Sequence, residues 1–74
     1  MPPLRRDFGS RIRLIRDSRR MSQEQFAEFI GISVDFLSLI ERGINAPSFE
    51  TIDLIATRLK VPVAFLFTFN DNEK

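Results

Sequence analysis

The 74-residue sequence contains no cysteine and no histidine. Without cysteine, neither disulfides nor thiolate metal sites can form. Without histidine, the commonest general base, nucleophile activator and metal ligand are missing together. Catalysis would need carboxylates clustered in a cleft, whereas the acids here fall at helix starts and on solvent faces. The chain is therefore expected to have no catalytic residues, no metal and no other cofactor. No apolar run approaches the about 18 residues of a membrane span. Residues 1–14, MPPLRRDFGSRIRL, lack the apolar stretch of a signal peptide. A cytoplasmic protein with no membrane partner is expected, and no small-molecule ligand is evident. Internal repeats and low-complexity segments are also lacking. The length suits a single domain, 1–74, with a modest core that oligomerisation would help.

What is present is unevenly charged. The net charge is +1. Residues 1–20 hold seven arginines (Arg5, Arg6, Arg11, Arg13, Arg16, Arg19 and Arg20) against Asp7 and Asp17, leaving +5. Residues 21–74 hold Arg42, Arg58, Lys60 and Lys74 against eight acids, leaving −4. A polarised chain can present one basic face whatever its total, and arginine suits phosphate recognition. A solvated arginine-rich helix or genomic composition bias would give the same count.

The chain is organised around residues 22–43. Ser22 can cap a helix, and Gln25 three residues later completes a capping box. Phe26, Ala27 and Ile30 follow at helical spacing. Gly31 tolerates the left-handed conformation that ends a helix. Ile32 is an apolar plug in the turn, and Ser33 can cap the next helix at once. That helix carries Leu37 and Ile40 on one face and ends at Gly43. Two helices joined by a short Gly-containing turn outline a helix-turn-helix, whose second helix enters the DNA major groove. An ordinary helical hairpin in a bundle has the same outline.

Around this pair the pattern predicts an all-α chain. Residues 1–6, with Pro2 and Pro3, read as a flexible arm closed by Arg5 and Arg6. A first helix is expected over 7–20, burying Phe8, Ile12 and Ile15 and leaving Leu14 off the stripe. Arg16 follows Ile15 and borders the core, so it needs a carboxylate. Glu41 follows Ile40 in the same way and is its natural partner. The segment GINAPS, 43–48, is a loop with Gly43 as a left-handed cap and Pro47 as a breaker. Ser48 caps a fourth helix that runs to about Lys60 and buries Ile52, Ile55, Ala56 and Leu59.

The tail from Val61 is ambiguous. Pro62 at a first helical position would start a short fifth helix that buries Val63 and Leu66. Yet Val61, Val63, Phe65, Phe67 and Phe69 alternate, which is a strand signal. The helix is favoured, with Phe65, Phe67 or Phe69 left on the surface as a candidate dimer patch. Residues 70–74 read as a frayed tail.

The run 12–67 resembles the Cro/CI-type (XRE-type) helix-turn-helix regulators. The matching pieces are IRLIR at 12–16, SQEQFA at 22–27, GIS at 31–33, LSLIERG at 37–43, APS at 46–48 and IATRLKVPVAFLF at 55–67. They cover about three quarters of the chain, in order. The resemblance implies a compact bundle of about five short helices, the lambda repressor-like fold. It implies that Gln23 touches backbone phosphate and braces the reading helix, and that Arg16 and Glu41 tie the first helix to the end of the third. Val34, Asp35, Ser38 and Leu39 match positions facing base edges, with Ser33 and Phe36 flanking. Arg42, the backbone after Gly43, and Asn45 match the loop that holds adjacent phosphates.

Relatives often carry Gln, Arg, Lys or Thr where this chain has Val34, Asp35 and Leu39. These three side chains cannot make the bidentate contacts that identify adenine or guanine. Val34, Phe36 and Leu39 suit thymine methyls, and Asp35 suits cytosine N4. Base contacts are thus assigned to Val34, Asp35, Phe36, Ser38 and Leu39. Phosphate contacts are assigned to Gln23, Ser33, Arg42 and Asn45, with Arg11 and Arg20 as the better candidates on the first helix. The expected function is a sequence-specific regulator, a homodimeric repressor or restriction–modification controller on palindromic double-stranded DNA. The rival is a protein-interaction module on the same fold, such as an antitoxin or partner-binding regulator.

Overall fold

The computed structural model describes residues 3–69. Within them the chain forms α1 (Leu4–Ser18), α2 (Gln23–Ile30), α3 (Val34–Glu41), α4 (Phe49–Leu59) and α5 (Val63–Leu66), with no strand among the described residues. None of these helices is long and apolar enough to cross a membrane. The expected frayed tail, 70–74, and the first two residues of the expected arm lie outside the described residues.

The stripes expected from helical spacing make one core. Phe8, Ile12 and Ile15 of α1 meet the buried residues of α2, α3 and α4, and Leu66 of α5 is fully enclosed. Ser22, Ser33 and Ser48 each accept the backbone N–H three residues on, and the Ser22–Gln25 capping box is reciprocal. These caps satisfy donors that helix starts leave open.

Helices α1 to α4 end alike. In each, the backbone N–H two residues beyond the last turn bonds back to a carbonyl five residues earlier: Met21 to Arg16, Ile32 to Ala27, Ile44 to Leu39 and Val61 to Ala56, at 3.0–3.3 Å. The residue before each of these donors is left-handed, which is the Schellman arrangement. Gly31 and Gly43 hold it without a Cβ penalty (φ 85° and 74°), whereas Arg20 and Lys60 hold it at φ 57° and 60°.

Several expectations need correction. Helix α1 begins at Leu4 rather than Asp7, so Arg5 and Arg6 belong to its first turn and not to an arm. Pro3, with φ −64°, is pre-set for that entry. At its other end α1 stops at Ser18 rather than Arg20, because the left-handed turn at Arg20 intervenes. Helix α5 is the favoured alternative for the tail, but Pro62 is its N-cap, not its first residue. Val63 is therefore not buried, at 39% exposure, while Leu66 is. Of the three tail aromatics, one of which was expected on the surface, Phe65 is exposed and Phe67 is half-buried. It packs on Phe8 with ring centroids 5.0 Å apart, and Phe69 meets Phe67 edge-on at 6.3 Å.

Candidate nucleic-acid interface

The position of α3 is set by three contacts. The first is steric. Gly9 of α1 is buried, and a Cβ built on it would overlap the carbonyl oxygen of Ile40 and lie 3.0 Å from that of Glu41. The α1 and α3 backbones thus meet without an intervening side chain.

The second contact is ionic. Arg16 donates from Nε to Glu41 Oε2 at 2.7 Å and from its second terminal nitrogen to Oε1 at 3.1 Å. Its remaining terminal nitrogen donates to the Met21 carbonyl at 2.9 Å. The two side chains are only 13% and 3% exposed. A planar guanidinium matches a carboxylate in this two-bond geometry. The hydrogen bond to Glu41 is the largest influence holding Arg16 more firmly protonated than free arginine. Burial opposes it, and the negative charges of Glu41, Asp17 and Glu24 reinforce it.

The third contact comes from α2. Gln23 donates from Nε2 to Glu41 Oε1 at 3.0 Å. One carboxylate at the end of α3 therefore binds the last turn of α1 and the first residue of α2 together. The Arg16–Glu41 pair was legible from position; the third member shows how Gln23 braces α3.

Residues 35, 38, 39 and 42 then fall on one face at i, i+3, i+4 and i+7, opposite the buried Leu37 and Ile40. Asp35 and Arg42 are exposed, and Ser38 and Leu39 are half-exposed. Val34 and Phe36 are half-buried and pack against the core, so much of their surface is turned to protein. Ser33 is exposed, with its hydroxyl already accepting the Phe36 N–H at 3.1 Å. Exposed Asn45 follows, its backbone held by Leu39.

Among the arginines of α1, the structure separates what composition could not. Arg11 stacks 4.3 Å over the Phe65 ring and donates to the Phe65 carbonyl at 3.0 Å. Its Nε is engaged by α5, while its two terminal nitrogens make no hydrogen bond or ion pair among the described residues. Arg20 is exposed and makes no side-chain hydrogen bond or ion pair among the described residues. Arg5 donates to the Gly43 carbonyl at 3.0 Å, and the backbone and stem of Arg6 lie against Gly43. The first turn of α1 thus adjoins the loop after α3, which sequence reasoning missed because it placed these arginines in an arm. Gly9 was also missed, though an isolated glycine in a helical pattern is itself a signal of close approach.

A helix-turn-helix family model, HTH_3, matches residues 12–66. The chain belongs to that family. This HTH_3 chain is 39% identical over 59 residues to an uncharacterized HTH-type transcriptional regulator of Mycobacterium tuberculosis, covering 80% of this chain and 42% of the relative. It is 36% identical over 59 residues to the cryptic phage CTXphi transcriptional repressor RstR of Vibrio cholerae, covering 80% and 53%. It thus spans about half the length of these relatives. Among solved structures it resembles the restriction-modification controller protein C.AhdI from Aeromonas hydrophila, with TM-score 0.79 and 32% identity over 85% of this chain and 96% of that one. The fold is the lambda repressor-like bundle that the sequence pieces implied. Proteins named as transcriptional regulators and repressors are among its relatives.

Proposed function

We propose that this chain is a sequence-specific DNA-binding regulator that acts as a homodimer on a palindromic operator, as a repressor or a restriction–modification controller. The observation that carries the reading is the stripe of Asp35, Ser38, Leu39 and Arg42 on a helix whose position is fixed by Arg16, Glu41 and Gln23. A rigidly held helix with one free face is what major-groove readout requires. In this reading Gln23, Ser33, Arg42, Asn45, Arg20 and the terminal nitrogens of Arg11 contact phosphates and set register. Asp35, Ser38 and Leu39 read base edges, with Val34 and Phe36 offering their half-exposed surfaces to thymine methyls. One domain covers few base pairs, so specificity comes from two half-sites roughly 34–36 Å apart.

A second reading keeps the fold and gives the α3 face to a protein partner. The apolar Leu39 and acidic Asp35 favour it, since neither makes a bidentate base contact. Titration of folded protein with mixed duplex DNA over a range of salt separates the two. Binding that weakens linearly in log–log salt supports the DNA reading. No binding at low salt would sink it and leave the interaction module.

A further inference from the structure

The apolar residues at the start of α1 and of α4 have no part in the interface above. Phe49 is 85% exposed and Leu4 61%. Beside them opens a cavity of about 280 Å³, walled by Leu4, Phe8, Pro47, Phe49, Ile52 and Phe67. A phenyl ring that projects into water at the rim of an apolar hollow is a knob next to a hole. A two-fold axis makes such a neighbourhood self-complementary, because an isologous contact sets each patch against its own copy.

The surrounding charges favour a second copy over a foreign partner. Arg5 lines the hollow from α1, and Glu50 and Asp53 follow Phe49 by one and four residues on α4; all three are exposed. Among the described residues, Arg5, Glu50 and Asp53 form no ion pair. Docking the α1 side of one copy on the α4 side of another sets basic against acidic twice. A foreign protein would have to match both signs in the same order.

We propose that Phe49 of one copy enters the hollow between Leu4 and Phe67 of a second, and that this face is the dimer interface. The inference rests on the homodimeric reading above and gives it a surface. It also replaces the aromatic patch expected from the sequence. Phe67 is a wall of the hollow, Phe69 packs on Phe67, and Phe65, 40% exposed, stacks against Arg11. Pro47 lies two residues after Asn45, so joining at this face brings both phosphate loops toward the two-fold axis.

The test uses the full chain. Phe49→Ser alters a side chain that is mostly in water, so the fold should persist by circular dichroism. In sedimentation equilibrium the wild-type chain is expected to dimerise, and F49S to weaken self-association at least about 100-fold, as loss of a central aromatic anchor does. The absence of cysteine permits a clean position check. Mixed R5C and E50C chains, which keep Leu4 and Phe49, should crosslink with a short bis-maleimide, whereas L14C, exposed elsewhere on α1, should not crosslink with E50C. Unchanged sedimentation of F49S, a wild-type monomer throughout, or no mixed crosslink would each overturn the interface. If F49S stays dimeric while the wild type binds duplex DNA, the interface fails and the DNA reading stands. If the wild type dimerises through Phe49 but binds no duplex at low salt, the interface stands and the DNA reading fails.

Discussion

Gly9 and Ile40 touch where no β-carbon fits: the backbone of α1 lies directly on the carbonyl oxygen of Ile40. Helix propensity alone favours alanine over glycine at an interior helical position by about 1 kcal/mol. Here the sign should reverse. Gly9→Ala is expected to destabilise the fold by about 3 kcal/mol, since the clash is with backbone and only a shift of α3 relieves it. Urea denaturation measures the difference. Any stabilisation would mean that α1 and α3 are further apart than described.

Removing one partner from the Arg16–Glu41 pair should be worse than removing both. Both side chains are nearly inaccessible, so a lone survivor loses its matched partner: Arg16 keeps only the exposed Asp17 at 3.6 Å and the Met21 carbonyl, and Glu41 only the neutral Gln23. Glu41→Ala is expected to cost about 3–5 kcal/mol. The double variant Arg16→Met with Glu41→Leu should recover much of that loss. A double-mutant cycle by chemical denaturation reads the coupling. Additive costs would show the two groups to be independent.

Lys60 closes α4 in a left-handed conformation that its Cβ disfavours. Lys60→Gly is expected to stabilise the protein by about 0.5–1 kcal/mol, the strain relieved less the entropy glycine adds to the unfolded chain. In a domain of this size that raises Tm by several degrees, roughly 2–8 °C. A lower Tm would contradict the left-handed cap.

Phosphate and base contacts should separate by specificity. Gln23→Ala and Asn45→Ala are expected to weaken binding to operator and to random duplex by similar factors. Ser38→Ala and Asp35→Asn should act on operator binding and leave random-sequence affinity within about twofold, because base contacts carry the discrimination. Fluorescence anisotropy against both duplexes reads this. A loss confined to operator for Asn45→Ala would move that residue to the reading face. Gln23 has a second expected effect, since its loss also removes one of the two donors to Glu41 Oε1 and leaves Arg16 alone on that carboxylate.

The parts of the molecule that were legible beforehand are those set by short-range rules. Ser22 with Gln25, Ser33 and Ser48 are caps because their hydroxyls or amides reach only a few residues along the chain. Ile12, Ile15, Ile52 and Ile55 are core because helical spacing puts them on one stripe. The Arg16–Glu41 pair was legible too, since each residue follows a core position. What was not legible depends on meetings across the fold. Arg11 and Phe65 are 54 residues apart in sequence, and nothing periodic announces their stacking. Phe67 turns inward because Phe8 offers it a ring, which the alternating pattern of the tail cannot reveal. Arg5 and Arg6 became helical through Pro3, a residue that reads equally well as part of an arm.

The left-handed closures at the helix ends leave the connections no slack. Four residues join α1 to α2 and three join α2 to α3, and each link is stitched back to the helix it leaves. The pair α2–α3 is therefore held as a solid piece. In the proposed complex, adjustment between protein and operator falls to the duplex, through groove width and bend. Base steps that α3 never touches would then count toward affinity according to how readily they deform.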